Sequence, residues 1–95
     1  MEKYKKELIS IISKYLPEST IYLYGSRARG TQLSGADIDL GIDNKGKSID
    51  LHVLGMIRFD IDDSNVGVPV DVVDINTSSP EFVNEIQKDW KVWKS

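Results

Sequence analysis

The chain contains no cysteine and a single histidine, His52. Disulfides, thiolate zinc sites, cysteine nucleophiles and a histidine-built metal centre are therefore excluded, and any metal ligands must be oxygens. Nowhere do eighteen apolar residues run together, so no segment reads as a membrane span. The N-terminus, Met1-Glu-Lys-Tyr-Lys-Lys, runs into a helical pattern rather than the apolar core of a signal peptide. These absences read as a cytosolic, cytoplasmic protein without membrane contact. Excess positive charge is lacking too: twelve Lys+Arg against fifteen Asp+Glu give a net charge of -3. That balance argues against holding nucleic acid by neutralising its phosphates, so no direct nucleic-acid binding is expected. Any phosphate that is bound is expected to arrive with a metal.

What is present is 95 residues, 40% hydrophobic and 28% charged. That makes one domain over residues 1–95, able to bury roughly 60–65% of its unfolded surface in a single core. No repeat, low-complexity tract or linker divides it. Tyr4, Leu8, Ile11, Ile12 and Tyr15 form the stripe of an amphipathic helix over Glu2 to Tyr15, closed before Pro17. Thr20-Ile-Tyr-Leu-Tyr24 reads as a strand stopped by Gly25, with a turn or helix start after it. Asp37-Ile-Asp-Leu-Gly-Ile42 alternates acid and aliphatic, placing Ile38, Leu40 and Ile42 on one face and two carboxylates on the other. Ser48 is the expected N-cap of a helix from Ile49 to about Asp60, with Leu51, Leu54, Ile57 and Phe59 in its pattern, although Gly55 weakens it. Val70 to Ile75 reads as the third strand. Ser78 and Glu81 have capping-box spacing, with Pro80 at N1 of a last helix. The tail from Trp90 to Trp93 fits either a last helical turn or a short edge strand. The order predicts an α/β (α+β) domain in which helices cover a small mixed sheet.

The chemistry concentrates where Gly25-Ser26 ends one strand and, after ten intervening residues, Asp37-Ile38-Asp39 opens the next. A glycine at a strand end lets the backbone approach a ligand, and the amides and Ser26 hydroxyl beyond it can donate to phosphate oxygens. Asp37 and Asp39 project from the same side of a strand with Cα atoms roughly 6.5–7 Å apart, so both can reach Mg²⁺. Two such ions about 3.5–4 Å apart can align an attacking oxygen and a leaving pyrophosphate. Val70-Asp-Val-Val-Asp74 supplies two candidates for a further carboxylate, on opposite faces. Asp71 is preferred because Val70 and Val72 flank it as Ile38 and Leu40 flank Asp39; Asp74 is then solvated or caps the next turn.

Gly25-Ser26, ten residues, Asp37-x-Asp39 and a strand carboxylate at Asp71 resemble the nucleotidyltransferase superfamily of the DNA polymerase β type. The stretch Leu23-Tyr-Gly-Ser-Arg-Ala-Arg-Gly30 with Gly35-Ala-Asp-Ile-Asp-Leu40 is most similar to its minimal nucleotidyltransferase (MNT) branch. Ala36 stands where many relatives have Ser. The resemblance implies the polymerase β-type fold and transfer of AMP from ATP with release of pyrophosphate. It also implies a HEPN-domain partner, neutralised by an MNT antitoxin that adenylylates a tyrosine. Asp37, Asp39 and Asp71 would then hold two Mg²⁺ ions and serve catalysis, with Gly25 and Ser26 on the triphosphate.

A domain this short leaves no separate unit to grip an acceptor, so a hetero-oligomer or homodimer is expected. A tyrosine acceptor, protonated at pH 7, would need a base, and Asp71 is the candidate. Arg27 and Arg29 suit phosphates as guanidinium forks, or else are solvent-exposed or pair with the acidic cluster. His52 has no partner of its kind and receives no role. The Asp60-Ile-Asp-Asp63 run reads as a solvated helix end, and the two tryptophans as packing or a protein interface. Two further readings stand beside the enzyme: an antitoxin that neutralises by contact alone, and a transferase for a small molecule, for which the chain is short.

Overall fold

The computed structural model describes residues 2–31 and 37–95. In chain order it comprises α1 (Glu2–Tyr15), β1 (Thr20–Tyr24), α2 (Ser26–Arg29), β2 (Ile38–Asp43), α3 (Leu51–Asp62), β3 (Val70–Asp74), a 3₁₀ turn (Ile75–Thr77), α4 (Pro80–Ile86) and β4 (Lys91–Lys94). Among the described residues no helix is long and apolar enough to cross a membrane.

The strands form one mixed sheet in the order β3-β2-β1-β4. β1 runs antiparallel to β2 and β4, and β2 parallel to β3. Register follows the period-2 alternation: Ile21 faces Ile42 and Leu23 faces Leu40, while Ile38 and Leu40 lie beside Val70 and Val72. These aliphatics point to one side, where Leu8, Ile12 and Leu16 of the α1 segment and Leu54, Ile57 and Ile61 of α3 complete the core. α4 and the 3₁₀ turn lie on the other side. A Cβ on Gly41 would meet Ile75 Cδ1 at 3.0 Å and Ile86 Cδ1 at 3.9 Å, so the absent side chain lets them sit directly on β2.

Long-range partners move several predicted boundaries. α3 starts at Leu51, capped by Asp50, whose carboxylate accepts the His52 amide at 2.8 Å; Ser48 is not the cap. The cause lies in β3: the Ile49 amide donates to the buried Asp74 carboxylate at 2.7 Å, which holds Ile49 outside the helix. The buried stripe of α3 is Leu54, Ile57 and Ile61, whereas Leu51 and Phe59 face solvent. α4 is capped by Ser79, accepting from the Phe82 amide at 3.2 Å, because the Ser78 hydroxyl donates instead to the Asp74 carbonyl at 2.9 Å. β3 ends at Asp74, one residue before the expected Ile75, and the tail is an edge strand. At the opposite edge, Arg58 Nη2 donates to the Val72 carbonyl at 2.7 Å, which blocks part of β3 against further strands.

Candidate active site

β1 delivers Tyr24 and then Gly25, whose φ of 77° and ψ of -158° lie in a region essentially restricted to glycine. α2 begins at the next residue, Ser26. A Cβ on Gly25 would stand 2.5 Å from Asp39 Oδ2. The Asp39 carboxylate therefore rests against the Gly25 backbone, in space that any side chain would fill.

Strand register assembles the rest. Tyr24 pairs with Asp39 across β1 and β2, and Asp39 with Asp71 across β2 and β3. The three residues stand abreast on one face, at the end of the sheet where β1 finishes and β2 and β3 begin. Asp37, exposed, directly precedes β2 at that end. Asp74 is on the opposite, buried face, where it accepts from the Ile49 and Asn76 amides at 2.7 and 3.0 Å. It is a structural acceptor and not a member of the cluster.

The electrostatics show the strain of this arrangement. Burial, then the charges of Asp71 and Asp37, push the Asp39 carboxyl above its ordinary range, with Arg29 opposing. Burial and the charges of Asp39 and Asp71 push the Tyr24 phenol up to about 12, so it stays protonated. Arg29 Nη1 also lies 3.7 Å from Asp89 Oδ2, in the turn after α4, with both side chains about half exposed. Arg29 thus stands between a site carboxylate and an anchoring one, which is pairing with acidic side chains. Arg27, half-buried, lies on α2 beside it.

Among the described residues no three His, Cys, Asp or Glu side chains converge as a preformed metal cage. The donor set nonetheless suits Mg²⁺, which is held through one or two carboxylates while waters and substrate phosphates complete its shell. Carboxylate charge at Asp39 that Arg29 only partly offsets, beside space kept open by Gly25, is the observation that matches it. An aromatic wall borders the site: Phe82 meets Tyr24 edge-on with centroids 5.8 Å apart, and Trp90 stacks on Tyr22 at 3.8 Å.

Gly35 and Ala36 of the motif lie outside the described residues. Sequence reasoning missed Tyr24, Phe82 and Asp89. Tyr24 was legible in principle, since alternation puts it opposite Leu23; Asp89 carried no local signal. The Asp60 run is more than a solvated end: Asp60 and Asp62 lie within α3, and Asp60 accepts the Tyr15 hydroxyl at 2.6 Å with Lys14 Nζ at 3.7 Å. His52 is exposed on α3, on the cover of the opposite face.

Known proteins provide a frame for this geometry. A family model described as Polymerase beta, Nucleotidyltransferase matches residues 6–94. A crystal structure of a toxin–antitoxin with AMP-PNP is similar with a TM-score of 0.79 and 22% identity, covering 94% of this chain and 71% of that one. A mutant MntA–HpeT toxin–antitoxin structure gives 0.78 and 20%, covering 94% and 71%. The tri-AMPylated HEPN toxin of Shewanella oneidensis in complex with MNT antitoxin gives 0.74 and 19%, covering 98% and 71%. At these identities the structural likeness speaks for the fold. No curated protein matches the sequence significantly.

Proposed function

This chain belongs to the polymerase beta nucleotidyltransferase family, and from that premise we propose that it transfers AMP from ATP to a tyrosine hydroxyl of a HEPN-domain protein, as the antitoxin of the pair. The observation that carries this reading is the Tyr24–Asp39–Asp71 row closed against a side-chain-free Gly25. It sets a bare backbone turn beside carboxylates, the combination a triphosphate with its cation requires. Likeness to toxin–antitoxin structures, one with AMP-PNP and one with a tri-AMPylated HEPN toxin, supports the nucleotide and the partner.

Gly25 and Ser26 receive the triphosphate, with Arg27 and Arg29 beside it as guanidinium donors. Asp37, Asp39 and Asp71 are the oxygens that would hold Mg²⁺, which when bound neutralises phosphate charge and orients the in-line displacement. The acceptor oxygen forms a bond to the α-phosphorus, the bond from that phosphorus to the bridging oxygen breaks, and pyrophosphate leaves. Asp71 accepts the phenolic proton, a task for the outermost carboxylate of the row, exposed on an edge strand. Tyr24, buried at the end of the row, is held protonated by that burial and by the charges of Asp39 and Asp71.

The test is mass determination of a HEPN-domain protein from the same organism after incubation with the chain, ATP and Mg²⁺. Added AMP mass, absent with the Asp37→Asn, Asp39→Asn double variant, is the expected result. A stable complex with no added mass would overturn transfer and leave neutralisation by contact.

A further inference from the structure

α2 is a single turn, Ser26–Arg29, whose backbone is closed at both ends. The Gly25 carbonyl accepts the Ala28 and Arg29 amides at 3.1 and 3.2 Å, and the Thr31 amide returns to the Ser26 carbonyl at 2.9 Å. These bonds place the Arg29 backbone but not its guanidinium, because a long, half-exposed side chain keeps its rotamer freedom until something holds the head group.

What holds it comes from another element. Asp89, in the turn between α4 and β4, brings Oδ2 to 3.7 Å from Arg29 Nη1. The backbone around Asp89 is well fixed for an exposed position. The Asp89 and Trp90 amides both donate to the carbonyl of buried Ile86, at 3.3 and 3.1 Å, and the Trp90 ring stacks on Tyr22 at 3.8 Å. The carboxylate is therefore carried between two anchored neighbours, and it offers Arg29 a stationary partner.

A second carboxylate draws on the same guanidinium. The Arg29 charge lowers the proton affinity of Asp39, so that group too is within its electrostatic reach. β1 leads into α2 and is flanked by β2 on one side and β4 on the other, which puts Asp39 and Asp89 to either side of the strand beneath Arg29. An arginine drawn fully onto Asp39 would neutralise a carboxylate that a cation needs and would turn its fork away from an arriving phosphate. Held by Asp89 instead, it keeps its remaining N–H donors for phosphate oxygens. A half-exposed ion pair of this kind contributes little to folding, so its consequence is one of direction. We propose that Asp89 is a positioning residue of the site, holding Arg29 back from Asp39 and aiming its guanidinium at the triphosphate. This role rests on the nucleotide reading above and is independent of the acceptor's identity.

The experiment is calorimetric titration of the full chain with ATP and Mg²⁺, with a thermal melt of each variant and with KM and kcat for AMP transfer to a HEPN-domain protein. Removal of a negative charge near an anion site tightens anion binding by itself, so the sign of the effect separates positioning from plain electrostatics. Asp89→Asn should weaken ATP binding about fivefold and leave the melt unchanged, with KM for ATP rising in step and kcat little altered. In an Arg29→Gln background the same substitution should cause no further weakening, because Asp89 acts through Arg29. Unchanged or tighter ATP binding by Asp89→Asn would overturn the proposal and leave the nucleotide reading in place. So would an equal loss in the Arg29→Gln background. A wild-type chain that binds no ATP would overturn both together. Weakened ATP binding by the variant, with no AMP gained by the HEPN-domain protein from wild type, would uphold the role of Asp89 and overturn transfer to that acceptor.

Discussion

On one face of the sheet β2 offers Ile38, Leu40 and Ile42, all inaccessible to solvent; on the other it offers Asp39 and Gly41, with Asp37 just before it. β1 divides the same way, Ile21 and Leu23 against Tyr22 and Tyr24, and β3 sets Val72 against Asp71. The first face gathers aliphatics beneath two helices. The second gathers carboxylates around Asp39, whose proton affinity burial and the charges of Asp71 and Asp37 raise and Arg29 opposes. The difference teaches that pleating separates two duties residue by residue: one face supplies the stability that lets the other keep charges which disfavour folding. Neither face could be read as the molecule's whole character.

The largest test of this division is Ile42→Ala, at the end of β2 remote from Asp37 and Asp39. Removing a fully buried side chain there should cost about 2–5 kcal/mol in urea unfolding, a large share of the stability of so small a domain. A loss below about 1 kcal/mol would mean that the aliphatic face is not what holds the sheet. Gly25→Ala should cost less, about 1–3 kcal/mol for the glycine-only backbone, yet abolish AMP transfer because its Cβ displaces the Asp39 carboxylate. An active, well-folded Gly25→Ala protein would separate Asp39 from the chemistry.

Asp39→Asn should change stability least, and upward. A carboxyl whose folded-state pKa is raised contributes stability that is full below its ordinary pKa and is lost as pH rises through the folded value. The Asn variant should therefore melt slightly above wild type at pH 7, and the gap should close below about pH 4. Mg²⁺ should raise the wild-type melting temperature more than the variant's. A variant that melts lower than wild type at pH 7 would show the carboxylate to be a structural asset, contrary to its placement.

The parts that were legible in the sequence are those governed by near neighbours. Alternation in Asp37-Ile-Asp-Leu and Val70-Asp-Val fixed which side chains share a face, and with it the preference for Asp71 over Asp74. Illegible parts were decided across the chain. Asp74 takes the Ile49 amide 25 residues away and so moves the start of α3, and its carbonyl takes the Ser78 hydroxyl and so moves the cap of α4. The exposure of Leu51 and Phe59 could not be read from helical spacing, because apolar residues on both sides of a helix look alike until the sheet selects one. Asp89 reaches Arg29 across 60 residues of sequence, through the packing of α4.

The two tryptophans, three residues apart, end on different surroundings. Trp90 stacks on Tyr22 beside the carboxylate row, with 14° between the ring planes, whereas Trp93 packs partly buried against the aliphatic core. The molecule consequently carries one tryptophan for each side of its sheet, to be excited selectively over the four tyrosines. With Trp93 replaced by phenylalanine, emission would report on the acidic side alone; with Trp90 replaced, on the core. Occupancy of the site and loss of the fold would then be followed as separate optical signals in a single cuvette.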